Sequence, residues 1–316
     1  MRKISIVTYL RSCEIITQDF VFVVQYLKGK EILDNVYVFS PRQVETQFPD
    51  YWTFIVDGEK TKYMRLQYLI QTLPDTVLLS IDNDMMVYCP ILEAFIKQFV
   101  GSAASIGWGR IGVSNKGWIP NLIVIDKTLS HSFIRPLLWR CHLGISVPGQ
   151  CFILRTEDYR THLLKSDTYL DDLQIGLITC YHGYEVFQSK KVLGNEKAQD
   201  SLTKLFNQRK RWAKGIAATL TAARQLPKKY YYLVLLHGVV YHLLLPAIII
   251  FIFFLYGVNR LPIATGLALL LVLLLCKGRI NLFWSAFLYC LVFPCLHFFW
   301  LFTVILTIVR NKQHDY

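Results

Sequence analysis

Two carboxylates, Asp82 and Asp84, frame the stretch Ile81-Asp82-Asn83-Asp84-Met85-Met86, directly after the apolar run Thr76-Val77-Leu78-Leu79-Ser80. Such a run reads as a buried parallel strand. Ligands of open α/β sheets sit at the carboxyl ends of these strands. On extended backbone, residues i and i+2 project to the same side. The pair therefore suits one divalent cation, or a metal on one carboxylate and a ribose on the other. Hard oxygen donors of this kind favour Mg²⁺ or Mn²⁺ held together with substrate phosphates. A solvated Asp-Asn-Asp turn is the plainer alternative, and the motif alone does not separate the two.

A second acidic group lies in Tyr169-Leu170-Asp171-Asp172-Leu173-Gln174-Ile175, at the start of an apolar-periodic helix. Carboxylates there cap free N–H groups and favour the positive end of the helix dipole. The chemical alternative makes Asp172 a general base that takes the proton of an acceptor hydroxyl. A third segment, Asn207-Gln208-Arg209-Lys210-Arg211-Trp212-Ala213-Lys214-Gly215, is basic and amphipathic. It suits a membrane surface. It also carries a guanidinium, Arg211, that can fork onto a diphosphate, and an indole, Trp212, that can stack on a sugar.

The elements that must position these groups follow from periodicity. Strands are expected at Lys3–Tyr9, Asn35–Phe39, Trp52–Val56, Thr76–Ser80, Asn121–Ile125, Ile145–Leu154 and Gly183–Phe187. Helices are expected at Ile15–Leu27, Lys62–Leu73, Pro90–Val100 and Phe133–His142. The β-α-β-β-α-β opening argues a mostly parallel nucleotide-binding sheet. Gly107-Trp108-Gly109-Arg110-Ile111-Gly112 matches GxGxxG, but no helical pattern or downstream acid follows, so it is expected to be a loop and not a dinucleotide fingerprint.

The chain has 316 residues, 53% of them hydrophobic, and a net charge of +12. Its mean hydropathy of +0.35 exceeds that of a purely soluble protein, and the excess is C-terminal. No arginine-rich arm or zinc-finger spacing points to nucleic acid. A basic face toward anionic lipid and a nucleotide diphosphate accounts better for the charge. The eight cysteines (13, 89, 141, 151, 180, 276, 290 and 295) form no CxxC pair and read as reduced thiols. Leu233–Tyr256 is long enough to span a bilayer, and Leu261–Cys276 is a shorter second span. Ile280–Val309, around Pro294, is one tilted, kinked span or a hairpin. Lys277-Gly278-Arg279 reads as a cytosolic loop. The start, Met1-Arg2-Lys3-Ile4, carries no signal-peptide or membrane-span pattern.

The order Asp-x-Asp, Gly149-Gln150, an acidic pair followed by Leu-x-Ile, and Gln-x-x-Arg-Trp, then apolar spans, resembles membrane-bound family-two inverting glycosyltransferases. It is most similar to the hyaluronan, chitin-oligosaccharide and cellulose synthase branch. The resemblance covers roughly residues 1 to 260, and Gln-x-x-Arg-Trp is its most specific part. It implies a GT-A fold: an α/β nucleotide-sugar-binding domain with a mixed, mostly parallel sheet, followed by C-terminal transmembrane helices. It also implies a UDP-sugar donor with Mg²⁺ or Mn²⁺. By position, Asp82 contacts ribose or diphosphate, Asp84 binds the metal and Asp172 is the base. Thr8, Tyr9, Lys62 and Arg211 fall at the nucleotide sugar, and Gly149, Gln208 and Trp212 at the acceptor.

Three departures stand beside it. The second strand ends in Phe39-Ser40-Pro41-Arg42, where the family usually has an acidic residue for the nucleoside. The acidic pair is Asp-Asp where Glu-Asp is usual. No transmembrane helix precedes the catalytic domain. The first bears on nucleotide identity and the last on processive polymerisation.

The expected organisation is a cytosolic transferase domain over 1–206, an interface helix over 207–232 and a membrane region over 233–316 with three or four crossings. Expected partners are the donor, a glycan or lipid-linked acceptor, membrane lipid and a second copy of the chain, without nucleic acid. The runner-up among enzymes is a single addition onto a polyprenyl-phosphate or glycolipid. Outside enzymes, a degenerate nucleotide-binding membrane protein is the rival.

Overall fold

The computed structural model describes residues 3–11, 14–43, 48–58, 60–164, 168–258, 260–276 and 279–314. Cys13, Lys277 and Gly278 lie outside them. The chain divides into two compact units, residues 1–114 with 135–197, and residues 115–134 with 198–316.

The first unit is built on one sheet. Its strands are β1 (Ile4–Tyr9), β2 (Leu33–Ser40), β3 (Trp52–Val56), β4 (Val77–Ile81), β5 (Met86–Val87), β6 (Ile106–Val113), β7 (Cys151–Arg155) and β8 (Val186–Glu196), in the order β3-β2-β1-β4-β7-β6-β8-β5. β1, β2, β3 and β4 pair in parallel, as do β6 and β8, whereas β7 runs antiparallel to β4 and β6, and β5 antiparallel to β8. All six residues of β1 and all five of β4 are buried, as continuous apolar strands covered on both faces must be.

One face is covered by α1 (Gln18–Gly29) and α3 (Cys89–Val100), through Phe20, Val23, Leu27, Leu92, Phe95 and Phe99. The other is covered by α2 (Lys62–Thr72), through Tyr63, Leu66 and Ile70. Thr17 and Thr61 cap α1 and α2 by accepting from Phe20 N at 3.2 Å and Met64 N at 3.3 Å.

Several sequence expectations change: the strand expected over Ile145–Leu154 forms only from Cys151, and the helix expected over Phe133–His142 is regular only over Arg135–Arg140. The GxGxxG segment is not a loop but β6. Each glycine marks a spot where a neighbour presses on the strand: a Cβ at Gly107 would lie 2.7 Å from Phe99 and one at Gly109 2.5 Å from Leu193, and one at Gly112 would collide with Asn195. Residues 121–125 are not a strand but part of α4 (Trp118–Leu129), since a short apolar run fits a buried helix face equally well. After a π-turn at Ser130–Ile134, α5 (Arg135–Arg140) leads back to the first unit, which also holds α6 (Thr156–Tyr159) and α7 (Asp171–His182).

The second unit contains α4, α8 (Leu202–Ala223), α9 (Lys228–Leu235), α10 (Tyr241–Gly257), α11 (Leu261–Cys276) and α12 (Phe283–His314). Ile280 to Val309 is one helix from Phe283 onward, with Pro294 inside it, and not a hairpin. Among the described residues, Phe283–Arg310 is the helix long and apolar enough to cross a membrane. A second candidate arises if Lys228–Val240 and His242–Gly257, bent by 45°, form a single span. The bend falls at the π-turn Leu236–Val240, where the regular i→i−4 ladder is interrupted. Trp300 donates its Nε1–H to the Gly238 carbonyl at 2.7 Å, so that this carbonyl does not lack a partner in an apolar setting.

Candidate active site

β4 ends at Ile81, and the next residues turn at the strand's carboxyl end. Asp82 N donates to Gln150 O at 2.9 Å, and Met85 N donates back to Asp82 O at 3.1 Å. Asn83, the middle residue, is buried and ties the turn to the segment before α1. Its Oδ1 accepts from Thr17 N at 2.9 Å, its Nδ2 donates to Ile15 O at 2.8 Å, and its carbonyl accepts from the Thr17 hydroxyl. Asn83 therefore sets the direction of both neighbouring carboxylates: Asp82 is half-buried and Asp84 exposed.

Lys62, the first residue of α2, reaches across to this turn. Its Nζ donates to Asp82 Oδ1 at 2.8 Å and to Gly149 O at 2.5 Å, and lies 3.4 Å from Asp171 Oδ2. Burial opposes its charge, but the carboxylates of Asp171 and Asp82 more than offset that and hold the ammonium protonated above its ordinary range.

The acidic pair opens α7, whose N-cap residue Leu170 offers no side-chain cap. Capping does not explain Asp171. Its carboxyl is buried and turns to Lys62 instead of to free N–H groups. Burial pushes it above the usual carboxylate range, Lys62 opposes this, and Asp172 and Asp82 add to it. Asp172 Oδ1 accepts from Leu173 N at 2.9 Å. Its carboxyl is also held above the usual range by burial, with Arg135 and Lys62 pulling the other way.

Gly149 lies against Asp172, so close that an added Cβ would stand 3.2 Å from its Cγ. Further along α7, a side chain at Gly176 would collide with the backbone of Ile145 and Ser146, so only glycine lets the helix rest on that segment. The segment is pinned from its other side by α5: Trp139 Nε1 donates to Ser146 O at 2.9 Å and Arg135 Nε to Ser146 Oγ at 3.3 Å. Arg135 carries no motif, and its part in the site is visible only in three dimensions.

One cluster in the first unit thus gathers Asp82, Lys62, Gly149, Asp171 and Asp172, with the exposed Asp84 two residues beyond Asp82. Thr8 and Tyr9 do not join it as surface groups. Both are buried, because the sheet is covered on both faces. The Tyr9 ring is stacked on Phe39 at 5.9 Å and lies 5.2 Å from Lys62 Nζ, forming part of the floor. Ser40, which ends β2 where an acid was missed, accepts from Arg42 N at 3.3 Å.

Gln208, Arg211 and Trp212 belong to α8 of the second unit. Arg211 is exposed, and Gln208 and Trp212 are half-buried. The buried cation of this segment is Arg209. It pairs with Asp126 of α4 at 2.6 Å, and its guanidinium stands 4.7 Å from the Trp212 ring and 5.7 Å from the Phe293 ring. Tyr289 of α12 donates to the same Asp126 at 3.2 Å. The i,i+3 spacing of Arg209 and Trp212 was the available sign that the two share a helix face.

The carboxylates at the end of β4 fit a divalent cation. Partial burial raises the Asp84 carboxyl above its ordinary value, and the neighbouring charges of Asp82 and Glu196 add to this. Among the described residues no group of three or more His, Cys, Asp or Glu side chains could hold a metal alone. A cation here would depend on donor phosphates or water for its remaining ligands.

The sequence matches the family model for glycosyl transferase family group 2 over residues 81–308. No curated protein matches it. The fold is similar to that of a mannosyltransferase from Pyrobaculum calidifontis in complex with GDP-Man and Mn²⁺, at 11% identity over 99% of this chain and 88% of that chain, with a TM-score of 0.59. A further structural match is glucosyl-3-phosphoglycerate synthase from Mycobacterium tuberculosis in complex with Mn²⁺, UDP-Glc and phosphoglyceric acid, at 14% identity over 72% of this chain and 81% of that chain, with a TM-score of 0.48. The α/β architecture with its mixed, mostly parallel sheet is GT-A-like.

Proposed function

Because the chain belongs to glycosyl transferase family group 2 and is a glycosyltransferase, we propose that it is membrane-anchored and moves a sugar, with inversion, from a nucleotide sugar to a glycan or lipid-linked acceptor. The observation that carries this reading is the placement of Asp172 against Gly149, within the same cluster as Asp82 and Lys62. In this reading the base Asp172 and the donor-side carboxylate Asp82 are linked through Gly149 and Lys62 within one domain. The mannosyltransferase whose fold is similar is described with GDP-Man and Mn²⁺, which supports a nucleotide-sugar donor here. UDP is the expected nucleotide, with Mg²⁺ or Mn²⁺.

In this mechanism Asp82 would meet the ribose or diphosphate, and Asp84 would hold the metal. The cation, when bound, supplies charge neutralisation for the departing diphosphate. Asp172 takes the proton of the acceptor hydroxyl as that oxygen bonds to the anomeric carbon. The bond from that carbon to the diphosphate oxygen breaks on the opposite face, and a nucleoside diphosphate leaves. Gln208, Arg211 and Trp212 are assigned to the diphosphate and acceptor.

Residues 207–232 are assigned to the membrane surface and 233–316 to the bilayer, with the transferase domain cytosolic, as the Lys- and Arg-rich segment before the first apolar stretch favours. The second unit supplies one long apolar helix and one bent pair. A single addition onto a polyprenyl-phosphate or glycolipid is the runner-up reading, and polymer export would call for homo-oligomers.

The test is turnover of radiolabelled UDP- and GDP-sugars by detergent-purified protein with Mn²⁺ or Mg²⁺. Release of nucleoside diphosphate that stops on chelation is expected. A chain that turns over no nucleotide sugar under any metal condition contradicts the assignment.

A further inference from the structure

Lys62 falls where the sequence pattern expects a donor contact, but the fold has already engaged its ammonium. An –NH₃⁺ group has three protons to donate. Two of them go to Asp82 Oδ1 at 2.8 Å and Gly149 O at 2.5 Å, and Asp171 Oδ2 stands 3.4 Å away as an ion-pair partner without a hydrogen bond of its own. The rings of Tyr9 and Phe152 stand 5.2 and 5.8 Å from Nζ and leave it an aromatic floor. The Lys62 backbone is fixed as well, because it opens α2 directly after the Thr61 cap. Asp171 is the most enclosed of the acids around it, and among the described residues Lys62 is the cation paired with it.

We propose that Lys62 and Asp171 form a permanent internal strut. Lys62 is a positioning residue bonded to protein, not a phosphate ligand, and Asp171 is its counter-charge. The strut ties three separate pieces of chain together: the carboxyl end of β4, the Gly149 turn and the first turn of α7. It divides the acidic pair by role. Asp171 is committed to Lys62, and Asp172 is left to face the acceptor side at Gly149. The role given to Asp172 rests on the proposed transferase mechanism, but the strut itself does not.

A charge-paired cycle tests this on the full-length, detergent-purified chain. Melting temperature, at a pH far enough above 7 to keep the Asp171 carboxyl ionised without Lys62, and calorimetric binding of UDP- and GDP-sugars with Mn²⁺ are measured for the native protein, Lys62→Met, Asp171→Asn and the double variant. A buried acid that has lost its only cation is relieved by neutralisation. Asp171→Asn should therefore raise the melting temperature more in the Lys62→Met background than in the native one, and should recover donor affinity lost with Lys62. If the double variant melts as low as Lys62→Met alone, the strut is overturned. If donor affinity is lost with Lys62 and not recovered, Lys62 is a phosphate ligand and the proposal is equally overturned. A native protein that binds no nucleotide sugar contradicts the transferase mechanism instead, and the melting cycle still reads the strut.

Discussion

A methyl group added at Gly149 would lie 3.2 Å from both Cγ and Oδ2 of Asp172, so this turn and this carboxyl face each other with no spare room. The contact is tighter than ordinary packing but short of a collision with rigid backbone. Gly149→Ala should fold and should bind donor with native affinity, while pushing the Asp172 carboxyl by a few tenths of an ångström. Misplacement of a reacting group by about 1 Å costs on the order of 100-fold, so roughly a tenfold fall in kcat is expected for the smaller shift. Steady-state kinetics with donor and acceptor varied separately would check it. A rise in donor KM with kcat unchanged would move Gly149 from the acceptor side to the donor side.

The pH profile follows from the same carboxyl. A general base works only when ionised, and burial holds Asp172 above its usual range. The acid limb of kcat/KM should accordingly lie above the ordinary aspartate value of about 3.9. Arg135 pulls the group down, so Arg135→Gln should move the limb to still higher pH, and Arg135→Lys should restore much of the native profile. Asp171 and Asp172 adjoin, so the limb reports the pair and not one residue. A profile that does not move when Arg135 is replaced would show that its guanidinium acts only through Ser146.

How far the site was legible in the sequence depends on the kind of signal. Asp82, Asp84 and Asp172 sit at element ends, where local pattern marks a strand terminus or a helix start, and the fold keeps Asp82 and Asp172 in one cluster. The partners of a side chain are a different matter. Nothing in Thr61-Lys62-Tyr63 says that the ammonium meets Asp171 and the Gly149 carbonyl, because those contacts bridge 87 and more positions of chain. The β6 glycines misled for a related reason: glycine reports a close approach without naming what approaches, and here it is Phe99, Leu193 and Asn195. Asn83 was passed over between two charged neighbours, although its amide anchors the turn that aims them. The apolar run at residues 121–125 was ambiguous between strand and helix because burial on one side is compatible with either period.

In the second unit, Arg209 and Asp126 are 12% and 14% exposed and 2.6 Å apart, with Tyr289 on the other carboxylate oxygen. Removing one partner leaves the other charge buried, at a cost of about 3–5 kcal/mol. Arg209→Met should therefore lower the melting temperature of the purified protein markedly. The double variant Arg209→Met with Asp126→Leu should lose much less than the sum of the single changes. Equal additive losses would mean that the two side chains act independently and that the short contact contributes little.

Metal dependence separates Asp84 from its neighbours. Asp84→Asn should weaken Mn²⁺ binding and raise the Mn²⁺ concentration needed for half-maximal turnover, because the hard anionic side chain assigned to the metal is lost. Titration of Mn²⁺ by electron paramagnetic resonance, in the presence of donor, reads this directly. A variant that binds Mn²⁺ as the native protein does would remove Asp84 from the metal's ligands.

The central assignment is the proton acceptor, and Asp172→Asn is the measurement that addresses it. The amide keeps the shape of the side chain and its hydrogen bond from Leu173 N, but it cannot take a proton. Donor affinity, read by calorimetry with Mn²⁺, should match the native protein, while sugar transfer falls by on the order of 100- to 10,000-fold, the range that general-base catalysis supplies. Normal transfer by Asp172→Asn would contradict the account, and another group would have to remove the acceptor's proton.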